Sequence, residues 1–200
     1  GHRIEGIGDK HVPWVHNVKN TDVVTAIDDE DCMRAIRLFN DPAGKKFLAS
    51  AGIDPNTINK LDYLGISCVA NLISAIKTAK YFEMDENDVI ITIATDSMEM
   101  YGSRLDELNA EKGAYSEMQA GRDFEKAFMG ASVDYMKELT YADRKAIHNL
   151  KYFTWVEQQE KPIDEINQLW YDHDLWPKLF AQAAKWDEMI EEFNQEISKA

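Results

Sequence analysis

Three short stretches carry the residue types best suited to hold or transform a small molecule. The opening "GHRIEGIG" (1–8) contains Gly6, Ile7 and Gly8. Glycines without a side chain let a ligand or a second chain segment come close to the backbone. At 64–71, "LGISCVAN" places Gly65 and Ser67 where a helix begins. The free N–H groups of a helix start favour anions, although structural capping is the more ordinary use of such residues. At 91–101, "ITIATDSMEMY" sets Asp96 and Ser97 just past an apolar run. Parallel α/β sheets bind ligands at the carboxyl ends of such runs. Asp96 reads as a turn former rather than as a catalytic acid.

Other chemistry-bearing residues have simpler explanations. His11 and His16 are five positions apart, so they do not share a helical face as paired metal ligands would. His173 lies between Asp172 and Asp174, and all three histidines read as solvated or capping groups. "DDED" (28–31) suits the positive end of a helix dipole. Cys32 and Cys68 form no CxxC pair and read as reduced, small core residues. The Trp and Tyr residues of 152–186 recur at helical spacing and read as core. Neither a GxSxG elbow nor a Walker loop occurs.

The elements that must position these residues change character near residue 105. "TDVVTAI" (21–27) predicts a strand ending at Asp28, which can cap a helix over 28–39. The stretch 40–63, with Pro42, Gly44, Gly52 and Pro55, reads as loop with one short helix. A helix follows over 66–82. "VIITIA" (89–94) is apolar without alternation, the pattern of a strand covered on both faces in a parallel sheet. Strand, helix, helix, strand is an α/β order. From Leu105 onward the sequence reads as helical: 122–139, 140–159 behind a Thr140 cap, 162–170, and 178–197. In the last of these, Leu179, Ala183, Trp186, Ile190, Phe193 and Ile197 alternate in steps of four and three, a seam for another helix. Two strands fall short of the roughly four to six of a common sheet, so residues 1–105 read as an incomplete domain.

The formal net charge of −14 over 200 residues argues against nucleic acid and against anionic membrane surfaces as partners. Hydrophobic content of 44% is that of a soluble globular chain. No stretch approaches the ~20 apolar residues of a membrane span, and no signal peptide is visible. A cytoplasmic location is expected.

Taken together, "GHRIEGIG…VP" (1–13), "LGISCVAN" (64–71) and "ITIATDSMEMY" (91–101) resemble, in order and rough spacing, the cysteine synthase and cystathionine β-synthase group of pyridoxal-phosphate enzymes. These have the tryptophan synthase β fold type. In that family the first stretch is a glycine loop facing the active site. The second is a "GISSGAN"-like turn starting a helix, and the third a strand ending in a "PDSGERY"-like turn. The resemblance spans residues 1–105. It implies that this part is the C-terminal portion of the α/β fold, a parallel sheet flanked by helices, with 106–200 a helical extension. It implies pyridoxal 5'-phosphate as cofactor, with the Ser97 hydroxyl at the pyridine nitrogen. Gly6, Ile7 and Gly8 would border the substrate pocket, and Gly65 and Ser67 would sit at a helix start near it. A serine cannot hold that nitrogen protonated as an aspartate would, so the ring becomes a moderated electron sink. This suits β-elimination or β-replacement on an amino acid through an aminoacrylate.

In that family the Schiff-base lysine, the substrate-carboxylate loop and a GxGGT-like phosphate loop precede the glycine loop, and none of them occurs in this sequence. The resemblance, with the absence of an initiator Met, therefore implies the C-terminal part of a longer enzyme, as a remnant or a split chain. Alone it would bind little cofactor. The expected partners are an amino-acid substrate, the N-terminal part of the same enzyme and a second subunit of a homodimer. Cys68 and Val69 stand where relatives have Ser and Gly, and Met98-Glu99-Met100 where they have Gly-Glu-Arg. These departures leave the substrate open. A threonine synthase-like or diaminopropionate lyase-like enzyme is the alternative within the fold type. A non-catalytic, acidic helical interaction module is the alternative of another class.

Overall fold

The computed structural model describes residues 2–4 and 6–198; Gly1 and Glu5 of the opening motif lie outside the described residues, as do Lys199 and Ala200. The chain forms two compact units, the first from residues 1–8 and 24–137, the second from 9–23 and 138–200. It passes between them in β1 (Val23–Thr25) and β2 (Met136–Glu138), which pair as a two-stranded antiparallel sheet. Ala26 N–H donates to Tyr135 O, and Leu139 N–H to Asp22 O.

The first unit is built on α1 (Asp29–Asn40). Asp28 stays extended and its carboxylate accepts from Glu30 N–H at 2.8 Å, while Asp29, Glu30 and Asp31 fill the first turn. That arrangement satisfies the helix start and complements its dipole. Cys32, Met33, Ala35, Ile36 and Leu38 of α1 are fully buried. Burial and the neighbouring Asp29, Asp31 and Asp28 push the Cys32 thiol up to about 12. Around α1 pack α2 (Pro42–Ser50), α3 (Pro55–Ile58), α4 (Ile66–Tyr81), α5 (Gly102–Lys112) and α6 (Glu117–Phe124). A π-helical turn (Glu125–Met129) continues α6. Leu108, Tyr115 and Ala120 belong to the same core as Ile36 and Val69, so the helices that follow residue 105 complete this unit.

Several expectations are corrected. No parallel sheet exists among the described residues: the fold is mostly helical, with one two-stranded sheet. Residues 89–94 form no strand. Val89 is 80%, Ile91 89% and Ile93 68% exposed. A strand needs hydrogen-bonding neighbours, and among the described residues no strand pairs with this run. The stretch 40–63 is more helical than expected, because Pro42 and Pro55 each start a helix behind an aspartate cap, Asp41 and Asp54. Proline's fixed φ and missing N–H cost nothing at that position. The helix expected over 122–139 stops at Gly130, beyond which the chain turns into β2.

In the second unit, α7 (Tyr141–Asn149) starts with a capping box between Thr140 and Asp143. A π-helical stretch (Tyr152–Gln158), α8 (Ile163–Tyr171), α9 (Leu175–Phe180) and α10 (Ala183–Ile197) follow. Lys151, fully buried, donates to Trp14 O at 2.8 Å and His16 O at 2.7 Å. Trp155 Nε1 donates to Val12 O. These bonds tie residues 12–16 to the helices. The α10 seam is uncovered within the described residues: Trp186 is 50% and Phe193 60% exposed.

His148 is buried, with ring nitrogen Nε2 3.2 Å from Ile166 O. Burial, then the charges of Lys145, Lys151 and Lys19, push its pKa down from 6.5 to about 4. Between those values the unfolded chain holds a proton that the folded one rejects. The second unit should therefore lose stability as pH falls from 6.5 to 4, by up to roughly 3 kcal/mol. Urea unfolding followed by tryptophan fluorescence at several pH values checks this, and His148→Gln should flatten the slope.

Candidate functional site

The three motifs, separated by tens of residues in sequence, meet at the first turn of α4. Gly65 is its N-cap and brings no side-chain cap. Its N–H instead donates to Asp96 O at 3.0 Å. A Cβ at Gly65 would lie 2.5 Å from the Asp96 carboxyl carbon, so any other residue would have to displace that carboxylate from its hydrogen bonds. One turn further, Asn71 Nδ2 donates to Ile93 O at 3.0 Å.

Cys68 forms the centre of this seam. Its sulfur accepts from Thr95 N–H at 3.0 Å and Asp96 N–H at 3.4 Å, and lies 3.1 Å from Asp96 O, to which the thiol can donate. A buried side chain thus satisfies backbone groups that a neighbouring strand would pair in a sheet. Asp96 is held from its other side by Tyr101, whose hydroxyl donates to Oδ2 at 2.6 Å, and by the Thr95 hydroxyl at 2.9 Å. Burial works against its ionisation, but the hydrogen bonds from Tyr101, Thr95 and Cys68 prevail and hold its carboxyl below the usual range. This charge is fully engaged in turn structure, the role expected for Asp96.

The glycine loop reaches the same turn of α4. Ile4 is buried in the core, and Arg3 N–H donates to Asp29 Oδ2 while its guanidinium pairs with Glu30 at 3.3 Å. Those anchors bring Gly6 against Ser67: a Cβ on Gly6 would stand 2.7 Å from Ser67 Oγ. Gly8 has φ +78°, a conformation costly for other residues. Gly6, Ile7 and Gly8 face solvent, whereas Ser67 is buried. Ser97 follows Asp96 and caps the 3₁₀ turn Met98–Tyr101, its Oγ accepting from Glu99 N–H at 3.3 Å. It is half-buried, and its hydroxyl proton is not committed by that bond. Beside it, a cavity of about 240 Å³ is lined by Met98, Glu99, Asn40, Asp62, Tyr63 and Leu105.

Of the six sequence-derived candidates, Gly6 meets Ser67, and Gly65 meets Asp96, the residue before Ser97; Gly8 packs near His2. The sulfur bridge from Cys68 and the Tyr101 bond were not legible, since nothing in "GISCVAN" distinguishes a core thiol from one that receives backbone N–H groups. His11 pairs with Asp9 and His16 with Thr21, both at 2.8 Å, and among the described residues no three His, Cys, Asp or Glu side chains gather as metal ligands.

Two substitutions test this geometry. Gly65→Ala should destabilise the first unit by roughly 1–3 kcal/mol, because its Cβ collides with a turn fixed from three sides. Tyr101→Phe should raise the Asp96 pKa, measured by carboxyl carbon NMR; an unchanged value would remove that bond from the account. Comparison with protein-family models, curated proteins and solved structures finds no match to this chain, so the site's chemistry is argued from its geometry and motifs.

Proposed function

We propose that this chain is the C-terminal part of a pyridoxal-phosphate-dependent enzyme resembling the cysteine synthases, acting on an amino acid by β-elimination or β-replacement. The observation that supports it most is the convergence of Gly6, Gly65–Cys68 and Asp96–Ser97 at one helix start.

The residues present fit the cofactor. Ser97 Oγ accepts from Glu99 N–H, which leaves its proton free for an acceptor such as a pyridine nitrogen. Gly6, Ile7 and Gly8 are exposed, which leaves this loop accessible to a ligand. When bound, the cofactor supplies the electron sink for breaking bonds at the substrate's α and β carbons. This chain's share is positional. Ser97 donates a neutral hydrogen bond, Cys68 and Gly65 fix the turn that aims it, and the glycine loop admits the amino acid. The lysine for covalent attachment would come from the N-terminal part. So would strands to cover residues 89–94, whose exposed apolar side chains on both faces match a central sheet position.

On this proposal the 200 residues alone take up little or no pyridoxal phosphate, read by absorbance after dialysis. In the complete enzyme, a panel of β-substituted amino acids with product mass identifies the leaving group and nucleophile. Ser97→Ala should lower turnover roughly tenfold to a hundredfold, the worth of one hydrogen bond to a charge-bearing ring. Tight cofactor binding by the isolated chain, or an upstream reading frame lacking a lysine and a glycine-rich phosphate loop, would overturn the proposal. One observation favours a reading of another class: the uncovered apolar face of α10 suits a non-catalytic module that docks a helix. Within the enzyme proposal, the same face is what a second subunit of a homodimer would cover.

A further inference from the structure

The second unit carries a feature that the cofactor proposal does not use. A cavity of about 300 Å³ opens among Lys19, Tyr141, Arg144, Trp170, Tyr171 and His173. Trp170 forms its floor: the ring is buried, and its Nε1 donates to the Tyr141 hydroxyl at 3.3 Å. Tyr141 stands edge-on to it at 5.6 Å. Tyr141 and Tyr171 remain 69% and 61% exposed, so a planar ligand can still reach both rings.

Positive charge gathers around these rings. Lys145 Nζ lies 4.7 Å from the Trp170 centroid and 4.4 Å from that of Tyr171. Lys19 Nζ donates to Trp170 O at 3.0 Å, which leaves two of its three donors. Arg144 is partly neutralised by Asp22 at 2.7 Å. Among the described residues no carboxylate lies within 4.0 Å of Lys19, Lys145 or Lys151. Lys145 faces two aromatic rings instead, and Lys19 lines the cavity. Burial is the main cause of the lowered His148 pKa, and the charges of Lys145, Lys151 and Lys19 add to it.

We infer that this cleft binds a small planar anion, a single aromatic ring bearing a carboxylate or a phosphate, with the ring against the exposed Tyr141 and Tyr171 and the anionic group toward Lys19, which lines the cavity, and Lys145, which lies beside Tyr171. The volume is at the lower end for ligand sites, roughly 300–1,000 Å³, which suits one ring rather than a dinucleotide. Aromatic walls hold the ring and the uncommitted ammonium donors hold the charge. The inference does not depend on the cofactor proposal, since it concerns the second unit alone.

Titrating the chain with benzoate and with phenyl phosphate, and following the Trp170 indole N–H by NMR, tests it directly. At least one of the two should shift that resonance saturably, and which one does so identifies the preferred anion. Benzyl alcohol, uncharged and of similar shape, should bind roughly tenfold more weakly or worse, and Lys145→Gln should weaken the anion at least about fivefold. Lys145 makes no hydrogen bond among the described residues, so this variant should fold, and near-ultraviolet circular dichroism checks that it does. No saturable shift with either anion overturns the inference. So does equal binding of benzyl alcohol, or unchanged affinity in folded Lys145→Gln.

Discussion

The grip of the start of α4 on residues 93–96 decides how the first unit presents Gly65, Ser67 and Ser97. Gly65 gives its N–H to Asp96, Cys68 receives the N–H groups of Thr95 and Asp96, and Asn71 reaches Ile93. A run of backbone without a strand partner would leave such groups to water. Here a helix end satisfies them on one side, so the turn carrying Ser97 is fixed although the apolar run before it is bare. A side chain at Gly65 would displace the Asp96 carboxylate from its hydrogen bonds, and the opening loop comes in against Ser67 only because Gly6 has no side chain either.

The two units use buried basic groups in a common way. In the first, Lys77 donates to Ala26 O and Asp134 O, and Arg37 to Asn109 and Gly113 O, stitching distant segments through carbonyl oxygens. In the second, Lys151 does the same for Trp14 and His16. Carbonyls solvate an ammonium only in part, and burial accordingly pushes Lys151 down to about 8. The cations therefore act as tethers for chain segments rather than as members of ion pairs, which leaves a surplus of positive field beside Trp170.

What the sequence made legible follows from how local each signal is. The caps at Asp28 and Thr140, the helix over 66–81 and the short strand at 23–25 depend on a few adjacent residues, and they form where expected. The apolar run 89–94 carries an equally clear strand pattern, but a strand is completed by partners, and periodicity does not say whether they are present. The prolines of 42 and 55 look like breakers unless the preceding aspartate is read as a cap. Gly6, Gly65, Ser67 and Ser97 were found as motifs, while the forces that join them, a thiol and a tyrosine hydroxyl, arise only once the chain has folded. The cation cleft was invisible for the same reason: Lys19 and Lys145 are more than a hundred positions apart.

On the proposed function, the exposed apolar run 89–94 would become a strand in a sheet completed by the N-terminal part of the same enzyme. Amide hydrogen exchange of Ile90 to Ala94 measures this most directly. In the chain alone these amides should exchange nearly as fast as in an unstructured peptide, and in the complete protein slower by on the order of a thousandfold or more, as for a central strand. Fast exchange in both settings would contradict the account.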